Sequence, residues 1–511
     1  MHIAKKSLVP LMLMMALLLS GCARTAAVIR SSSDINQKSF RLGVIGGTYS
    51  ASLAEELFPD ATLQYIGTTP DGCAAVKSNK VDGFLFDKPV LDEFCRENPD
   101  LTLMDETFDG SDLAIGLAKG NSELQQKVNA VLAELREDGT LDDMAERWIG
   151  GTDKRMPELE APENPVGTLR ILTEGLIEPF NYISADGTCI GIDVELGMRI
   201  AYALGMDYSV QTMNFDALIP ALNAGKGDLL ICELNITEER KKEILYSDPY
   251  MKNQTAVLVR RDRYRGAEET SAPTSDKTAG LLDKFVGTFV TENRWKLFVS
   301  GVAVTVGISV TAYLLGTALG MLLCAMLHSP RRGLQRIARA YNRIITGIPT
   351  LVRLMVLYYI IFGSANIPAI IVAILGFALE LAASLSGIFK TGLDCVDEGQ
   401  IEAATALGFL PSEMYLRIVF PQAAAAVFDL YAGEFVSLVK ATSVVGYIAI
   451  MDLTKVSDIV RSRTYQAFFP LIATALIYFG ITCIFVALLR YLGRKFNPRL
   501  RRRLLKGVKL K

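Results

Sequence analysis

An α/β domain followed by an all-α transmembrane domain of about five spans is the fold class this sequence predicts, on three observations. Up to about Asn293, charged and apolar residues are mixed as in a soluble α/β protein. Beyond Trp295 come long apolar runs separated by basic patches, the composition of an integral membrane segment. Within the front part, short strand-like runs alternate with helical patterns, which argues for a largely parallel sheet with functional groups on loops at strand ends. At 511 residues the chain is too long for one compact domain, so two or three are expected. The net charge of −2 averages an acidic front and a basic tail, and gives no reason to expect nucleic acid.

The first residues read as a targeting segment. Lys5 and Lys6 form a positive region, Leu8 to Leu19 a short apolar core, and Leu19-Ser20-Gly21-Cys22 follows in the pattern of a bacterial lipobox, with Cys22 the lipidated residue. The competing reading is an uncleaved anchor in which Cys22 is incidental. Both put the following residues outside the cytoplasm. Cys73, Cys95, Cys189 and Cys232 would then sit where disulfides form, and four cysteines allow three complete pairings. Cys324, Cys395 and Cys483 fall in the membrane half. No CxxC or His-rich spacing suggests a metal, and the two histidines, His2 and His328, leave no basis for histidine-dependent catalysis.

In the front part, Phe40 to Ile45 alternates like a strand, and Gly46-Gly47-Thr48 opens a helix. Val81 to Phe86 is a second strand, ending at Asp87. Leu124 to Trp148 is helical, broken at Asp138-Gly139. Leu169 to Thr173 and Asp228 to Cys232 are strands. Gly191 to Leu204, Phe215 to Asn223 and Thr237 to Lys242 are helices.

These runs carry a resemblance. GTCIGIDVE from Gly187, FDALIPALNAGKGD from Phe215, NITEER through Arg240 and YSDPY from Tyr246 resemble lobe one of the type II periplasmic polar amino acid-binding proteins. VDGFLFDKP around Asp87 and the stretch from Lys119 to Gly151 resemble lobe two and the helices that return to lobe one. The resemblance implies a two-lobed domain, but in an altered order, with lobe two and the returning helices (40–164) ahead of lobe one (165–262). A circular permutation accounts for both pieces without duplication, and is tolerated where the ends lie together at the surface. The competing reading is a truncated lobe followed by an unrelated partial copy. Permutation predicts that Phe40 and Arg261 are neighbours, and that strands near Leu42–Ile45 and Ala256–Val259 run through the hinge.

An amino acid presents a carboxylate and an ammonium. Arg240 can hold the carboxylate through two parallel charge-assisted hydrogen bonds, and matches the family's carboxylate-binding arginine. Thr48, at a helix start, offers free backbone N–H groups to an anion. Asp87 matches the acid that takes the α-ammonium. By the same resemblance Glu174, Glu233 and Asn235 belong to the ligand set. Ile177 and Glu233 depart from its usual aromatic and small hydroxyl residues, and the added carboxylates fit a cationic or amide side chain, or face solvent. Phe180 and Phe215 complete the set, although such aromatics are more often core than ligand wall.

After a 263–286 linker without periodicity, five spans are expected: Phe298–Leu327, Thr350–Phe362, Ile367–Ile388, Ala424–Ile450 and Phe469–Leu489. The second is short unless it begins before Pro349. Arg331 to Arg343 and the basic tail (496–511) place those stretches in the cytoplasm. Between spans three and four, Gly399 to Gly408, reaching Phe420-Pro421-Gln422, resembles the EAA loop of the polar amino acid ABC transporter permeases of the histidine/glutamine/arginine type. TGIPTLV from Thr346 and LVKATSVV from Leu438 extend that resemblance over 287–495. It implies that Glu402, Ala403, Ala404, Gly408 and Pro421 dock an ABC ATPase subunit. A plain amphipathic loop is the alternative. Gly387 and Lys390 depart from the usual Glu and Arg before the loop. Arg353, Glu380, Asp429 and Glu434 lie in or near apolar spans, where charges are costly and often line a pathway, although Arg353 could snorkel to the interface.

No GxxxxGK[ST] motif occurs and no nucleophile–base constellation is legible, so the chain is read as no enzyme, with no cofactor of its own. The expected function is the substrate-binding and permease subunit of an ABC importer for a polar amino acid in the bacterial cytoplasmic membrane. ATP and Mg would sit on the partner ATPase, and two permease copies would share the bilayer. The alternative is a membrane-anchored amino acid sensor or ligand-gated channel.

Overall fold

The computed structural model describes residues 28–151, 154–265, 281–363, 367–464 and 468–496. The targeting segment with Cys22, residues 266–280 of the linker and the tail from 497 lie outside the described residues. The strands of the α/β half are, in chain order, β1 (Arg41–Ile45), β2 (Thr62–Ile66), β3 (Gly83–Asp87), β4 (Leu101–Leu113), β5 (Gly116–Ala118), β6 (Thr168–Thr173), β7 (Leu176–Ile177), β8 (Asn181–Ile183), β9 (Cys189–Ile190), β10 (Asp207–Thr212), β11 (Leu229–Leu230), β12 (Ile244–Tyr246) and β13 (Met251–Arg260). Its helices are α1 (Tyr49–Leu57), α2 (Thr69–Lys77), α3 (Lys88–Glu97), α4 (Ser122–Glu137), α5 (Thr140–Ala145), α6 (Ile192–Ala203), α7 (Phe215–Asn223) and α8 (Glu238–Lys241).

Two five-stranded sheets result, ordered β2-β1-β3-β13-β4 and β10-β6-β11-β5-β12. In each, one strand joins antiparallel from the other half of the sequence: β13 enters the first sheet and β5 the second. The chain crosses between sheets at Ala114–Ile115 and at Ser247–Tyr250. These crossings lie side by side, because Ser247 N donates to the Ile115 carbonyl, Ile115 N to Ser247 Oγ and Tyr250 N to the Leu113 carbonyl, each at 2.9 Å. Ala256–Val259 therefore lies in β13 beyond the hinge, and Leu42–Ile45 does not cross at all. The interior of β1 is buried on both faces, which keeps it inside a covered sheet.

The ends do meet. Ile29 bridges Tyr264, with Ile29 N donating to the Arg263 carbonyl at 2.8 Å and Arg265 N to the Ile29 carbonyl at 2.9 Å. Residues 23–39, which the sequence marks as a linker between the targeting segment and the first strand, are packed from Ile29 onward, because Ile29, Ile35 and the following Phe40 bury against Leu42, Val44, Val257 and Val259.

Each sheet carries the same lock. Arg41 in β1 grips Asp82 through Nε and Nη2, and Arg170 in β6 grips Asp228 in the same way. Both pairs are partly exposed, so each contributes about 1 kcal/mol or less. The returning helices belong to the second sheet's lobe. There the buried Glu195 of α6 accepts from Trp148 Nε1 at 2.7 Å and is gripped by Arg147 and Arg199.

The helical half comprises α9 (Leu281–Phe289), α10 (Trp295–Leu327), α11 (Arg332–Gly347), α12 (Thr350–Met355), α13 (Ala369–Asp394), α14 (Glu398–Ala406), α15 (Pro411–Met414), α16 (Phe420–Ala441), α17 (Leu453–Thr464) and α18 (Phe468–Phe496). Among the described residues, four helical stretches are long and apolar enough to cross a membrane: Thr291–Leu327, Ala369–Asp394, Pro411–Ile448 and Phe468–Tyr491. The second expected span is a bent pair instead. Starting it before Pro349 does not lengthen it, because α11 and the helix continuing from α12 to Ile361 meet at 107°. Ile348, before Pro349, is driven to extended geometry (φ −106°, ψ 127°) and breaks the run. Arg353 does not snorkel. It is buried, pairs with Glu380 and donates to the Ile345 and Ile348 carbonyls at 2.9 and 3.1 Å, tying the bend. Elsewhere α10 packs closely on α13 at Gly316 and Gly320, where an added Cβ would meet the Cβ of Leu381 at 2.9 Å and of Leu385 at 3.0 Å.

Candidate functional site

The site forms where the two lobes face each other. Arg240 is carried by α8, a single turn capped by Thr237, whose hydroxyl accepts from Arg240 N. Its guanidinium is buried, lies 5.2 Å from the Phe215 ring and donates to the Asn235 carbonyl at 3.1 Å. The second arm crosses between lobes, from Nη2 to the Gly47 carbonyl at 2.7 Å. Thr48 caps α1 beside that carbonyl, but its hydroxyl is spent on the Ile45 carbonyl at 2.7 Å, leaving the backbone as its anion-binding asset.

Asp87 ends β3 and begins α3 from the opposite lobe. It is buried and hydrogen-bonds with the Glu233 carboxyl of lobe one. Burial pushes Asp87 up to about 6, while the neighbouring Glu233, Asn235 and Asn253 draw it back. Glu233 is held well above the ordinary carboxylate range by burial and by Asp87. It sits at φ 46°, a left-handed conformation unusual for a glutamate. Asn253 Nδ2 donates to Glu233 Oε1 at 3.3 Å. Asn235 Nδ2 acts on Asp87 electrostatically but completes no hydrogen bond of normal geometry.

Arg240, Asp87, Asn235, Glu233 and Phe215 thus converge, with Thr48 at the edge. Phe180 is fully buried in the core. Glu174 borders this group through Phe215, beside whose N it sits, and burial pushes it up to about 7. Asp193 was not singled out by the sequence reasoning, although it stands within the GIDVE run. It is fully buried, accepts from Asn181 Nδ2 (2.8 Å), Glu233 N (2.9 Å) and Tyr250 Oη (2.8 Å), and burial pushes it up to about 6. The sequence carried no signal for a second set. Helix α17 reaches both lobes, with Lys455 beside Asn214, Arg461 on Asp71, Ser462 on the Leu176 carbonyl and Arg463 on the Ile183 carbonyl.

At the opposite end of the helices stands the second candidate site. Asp397 caps α14 by accepting from Gly399 N at 2.8 Å, and Gly408 ends the turn at φ 82°. Ala404 faces inward, against Met414, Val419 and Ala423, while Glu402, Ala403 and Ala406 face out. Pro421 lies in the first turn of α16. Leu407, Leu410, Tyr415, Leu416 and Phe420 are all exposed in and beside this loop, a concentration of apolar side chains of the kind that marks a partner site. The seven described cysteines are free, so none of the possible pairings is formed among them.

A model of the bacterial extracellular solute-binding proteins, family 3, matches residues 169–501. The chain belongs to that family. Its C-terminal part is also homologous to amino-acid permeases. A Rickettsia prowazekii (strain Madrid E) protein assigned as the glutamine transport system permease GlnP is 35% identical over 182 residues, 35% of this chain and 82% of the relative. The arginine transport system permease protein ArtQ of Bacillus subtilis (strain 168) is 29% identical over 206 residues, 39% of this chain and 91% of the relative. A solved amino acid ABC transporter with histidines is 31% identical, covering 40% of this chain and 98% of that one, with a TM-score of 0.37. One chain therefore joins a family-3 binding domain to a permease of the amino-acid ABC importer kind. The permease homology favours the importer over the sensor or channel.

Proposed function

We propose that this chain captures a polar amino acid in the interlobe cleft on the outer face of the cytoplasmic membrane and passes it through its own helices. Arg240 holds the ligand carboxylate, helped by the backbone at Thr48. Asp87, with Asn235 and Glu233, takes the ammonium. Phe215 walls the ligand, Glu174 faces its side chain, and Phe180 supports the wall from the core. The observation that carries this reading is that Arg240 and Asp87, of opposite charge and from opposite lobes, are buried at one cleft. The acids in the cleft favour a cationic or amide side chain.

The α14–α15 loop, through Glu402, Ala403, Ala404, Gly408 and Pro421, docks an ABC ATPase whose ATP and Mg supply the energy, and two permease copies form the pathway. Cys22 is lipidated. The binding domain is circularly permuted, a reading supported by the Ile29–Tyr264 bridge at its ends and by the strand each sequence half lends to the other's sheet. The test is calorimetry on the full chain with L-arginine and L-glutamine. Arg240→Ala is expected to weaken whichever binds by roughly 2–5 kcal/mol, as for a buried charge pair broken on one side. Unchanged affinity would sink the assignment.

A further inference from the structure

Helix α17 (LTKVSDIVRSRT) is polar by composition, yet Lys455, Ser457, Arg461 and Ser462 are all buried. It is buried because the α/β domain covers it. Leu453, Val456, Ile459 and Val460 share a core with Leu176 and Ile183 of the binding domain and with Leu297 and Phe298 of α10. Asp452 starts the helix by accepting from Lys455 N and Thr454 N, both at 3.0 Å. Arg461 reaches lobe two at Asp71, while Ser462 and Arg463 hold lobe one. The helix therefore spans the gap between lobes.

One side chain on it is oddly placed. Lys455 is 3% exposed, and among the described residues it makes no ion pair within 4 Å. Its ammonium has one hydrogen bond, to Asn214 Oδ1 at 3.3 Å. A buried ammonium without a close counter-ion is costly. Asn214 follows Met213, whose N donates to the Thr173 carbonyl at 3.0 Å, so Lys455 stands where the chain carries the buried Glu174, the acid proposed above to face the ligand side chain. Its charge opposes the effect of burial on Glu174 and on Asp458 one turn along. Asp216 adds negative charge to the same place. Among the described residues, Arg461 is already taken by Asp71 and Asp458, which leaves Lys455 to serve this acid group.

We infer that Lys455 is a tethered counter-ion for Glu174, supplied by the membrane half, that competes with a cationic ligand side chain for that carboxylate. This rests on the amino-acid reading of the cleft. When a cationic side chain occupies the Glu174 position, Lys455 is repelled from it. When the lobes seat on α17, the lysine replaces that cation and weakens retention of the ligand at the mouth of the membrane domain. A neutral side chain makes no such exchange, so Lys455 is a positioning residue that sets charge selectivity and release.

The experiment measures L-arginine and L-glutamine affinity by calorimetry on the full chain in nanodiscs, for the unaltered protein, Lys455→Gln and Lys455→Arg. Lys455→Gln is expected to tighten L-arginine about tenfold, equivalent to removing about 1.4 kcal/mol of repulsion between two buried cations, while shifting L-glutamine little. Lys455→Arg should keep the original ratio. If Lys455→Gln does not fold, Lys455→Met carries the same comparison. An equal shift for both ligands, or an unchanged ratio, would overturn the inference while leaving the cleft assignment intact. Binding of neither amino acid by the unaltered chain would overturn the cleft assignment and this inference together.

Discussion

Raising the pH from 5 to 8 should destabilise the ligand-free α/β domain, and the buried Asp193 gives the size of the effect. In the unfolded chain an aspartate titrates near 4, whereas burial holds Asp193 at about 6 in the folded protein. Between those values the folded state binds the extra proton. The stabilisation is complete below about pH 4 and is lost as pH rises through 6. A shift of two units corresponds to about 3 kcal/mol in all for this fully buried group; the part lost between pH 5 and 8 is about 1.4 kcal/mol, or about 3–6 °C in the midpoint of a domain this size. Asp87 and Glu233 act in the same direction, and Glu174, at about 7, extends the window upward. Carboxylates held low by hydrogen bonds, such as Asp138 and Asp186, act in the opposite sense, but only below about pH 4. Trp148, fully buried in this domain, is the reporter, in a Trp295→Phe background that removes the other of the two tryptophans. Thermal unfolding of the full chain should show the Trp148 transition falling from pH 5 to pH 8, with a shallower slope in Asp193→Asn. A flat or rising midpoint, or a slope unchanged by Asp193→Asn, would refute the reasoning.

Two further outcomes follow from single contacts. Glu195→Leu leaves Arg147, Arg199 and the Trp148 indole without their shared acceptor. It should cost about 3–5 kcal/mol in the same unfolding assay, as for a buried pair broken on one side. Gly408→Val forces a β-branched residue to φ 82° where space is open, so only backbone strain opposes it, on the order of 1–3 kcal/mol locally. Ligand affinity should be unchanged while ligand-stimulated hydrolysis by the co-purified ATPase falls. Full stimulation would remove the loop from the docking role.

What was legible in the sequence is what short-range chemistry determines. The α7 helix runs over Phe215–Asn223 because its apolar spacing and the flanking Asn214 and Gly225 specify it locally. Arg240 and Asp87 were legible as charged residues beside recognisable strand and helix ends. Asp193 was not. Its GIDVE run shows an acid near a helix start, but its three donors come from β8, from the turn after β11 and from the crossing before β13. The hinge was misplaced for a related reason, since β1 is as apolar as a crossing strand, and only pairing reveals that β4 and β12 lead across. The bend at Pro349 was not legible: the sequence suggests a short span that could begin before Pro349, whereas the two helices turn there, tied by Arg353 to Glu380 in another helix. The contacts of α17 were beyond reach, because Lys455 and Asn214 are 241 residues apart and Arg461 and Asp71 are 390 apart.

The separation of the two candidate sites constrains how they communicate. Helix α10 begins at Trp295, where Leu297 and Phe298 pack with the binding domain, and ends at Leu327, where His328 meets Asp394 at the last turn of α13. Its 33 residues span about 50 Å at 1.5 Å per residue. The cleft and the α14–α15 loop lie toward opposite ends of that length, so occupancy of one reaches the other only through packed helices with alternative arrangements. Close Gly316 and Gly320 contacts make α10 and α13 move as one body. Helix α17 and the start of α16 are seated on that body, since an added Cβ at Gly301 would meet Leu453 Cα at 3.0 Å and one at Gly392 the Ala423 carbonyl at 3.0 Å, and they continue directly into the cleft contact and the loop. A binding domain tethered to the same chain also meets its permease at an effective concentration set by the linkers rather than by diffusion. Seating on α17 is then frequent whether or not ligand is present, and discrimination must come from contacts that change with occupancy. On the inferred role of Lys455, buried with one hydrogen bond to Asn214, its repulsion by a cationic ligand side chain is such a contact.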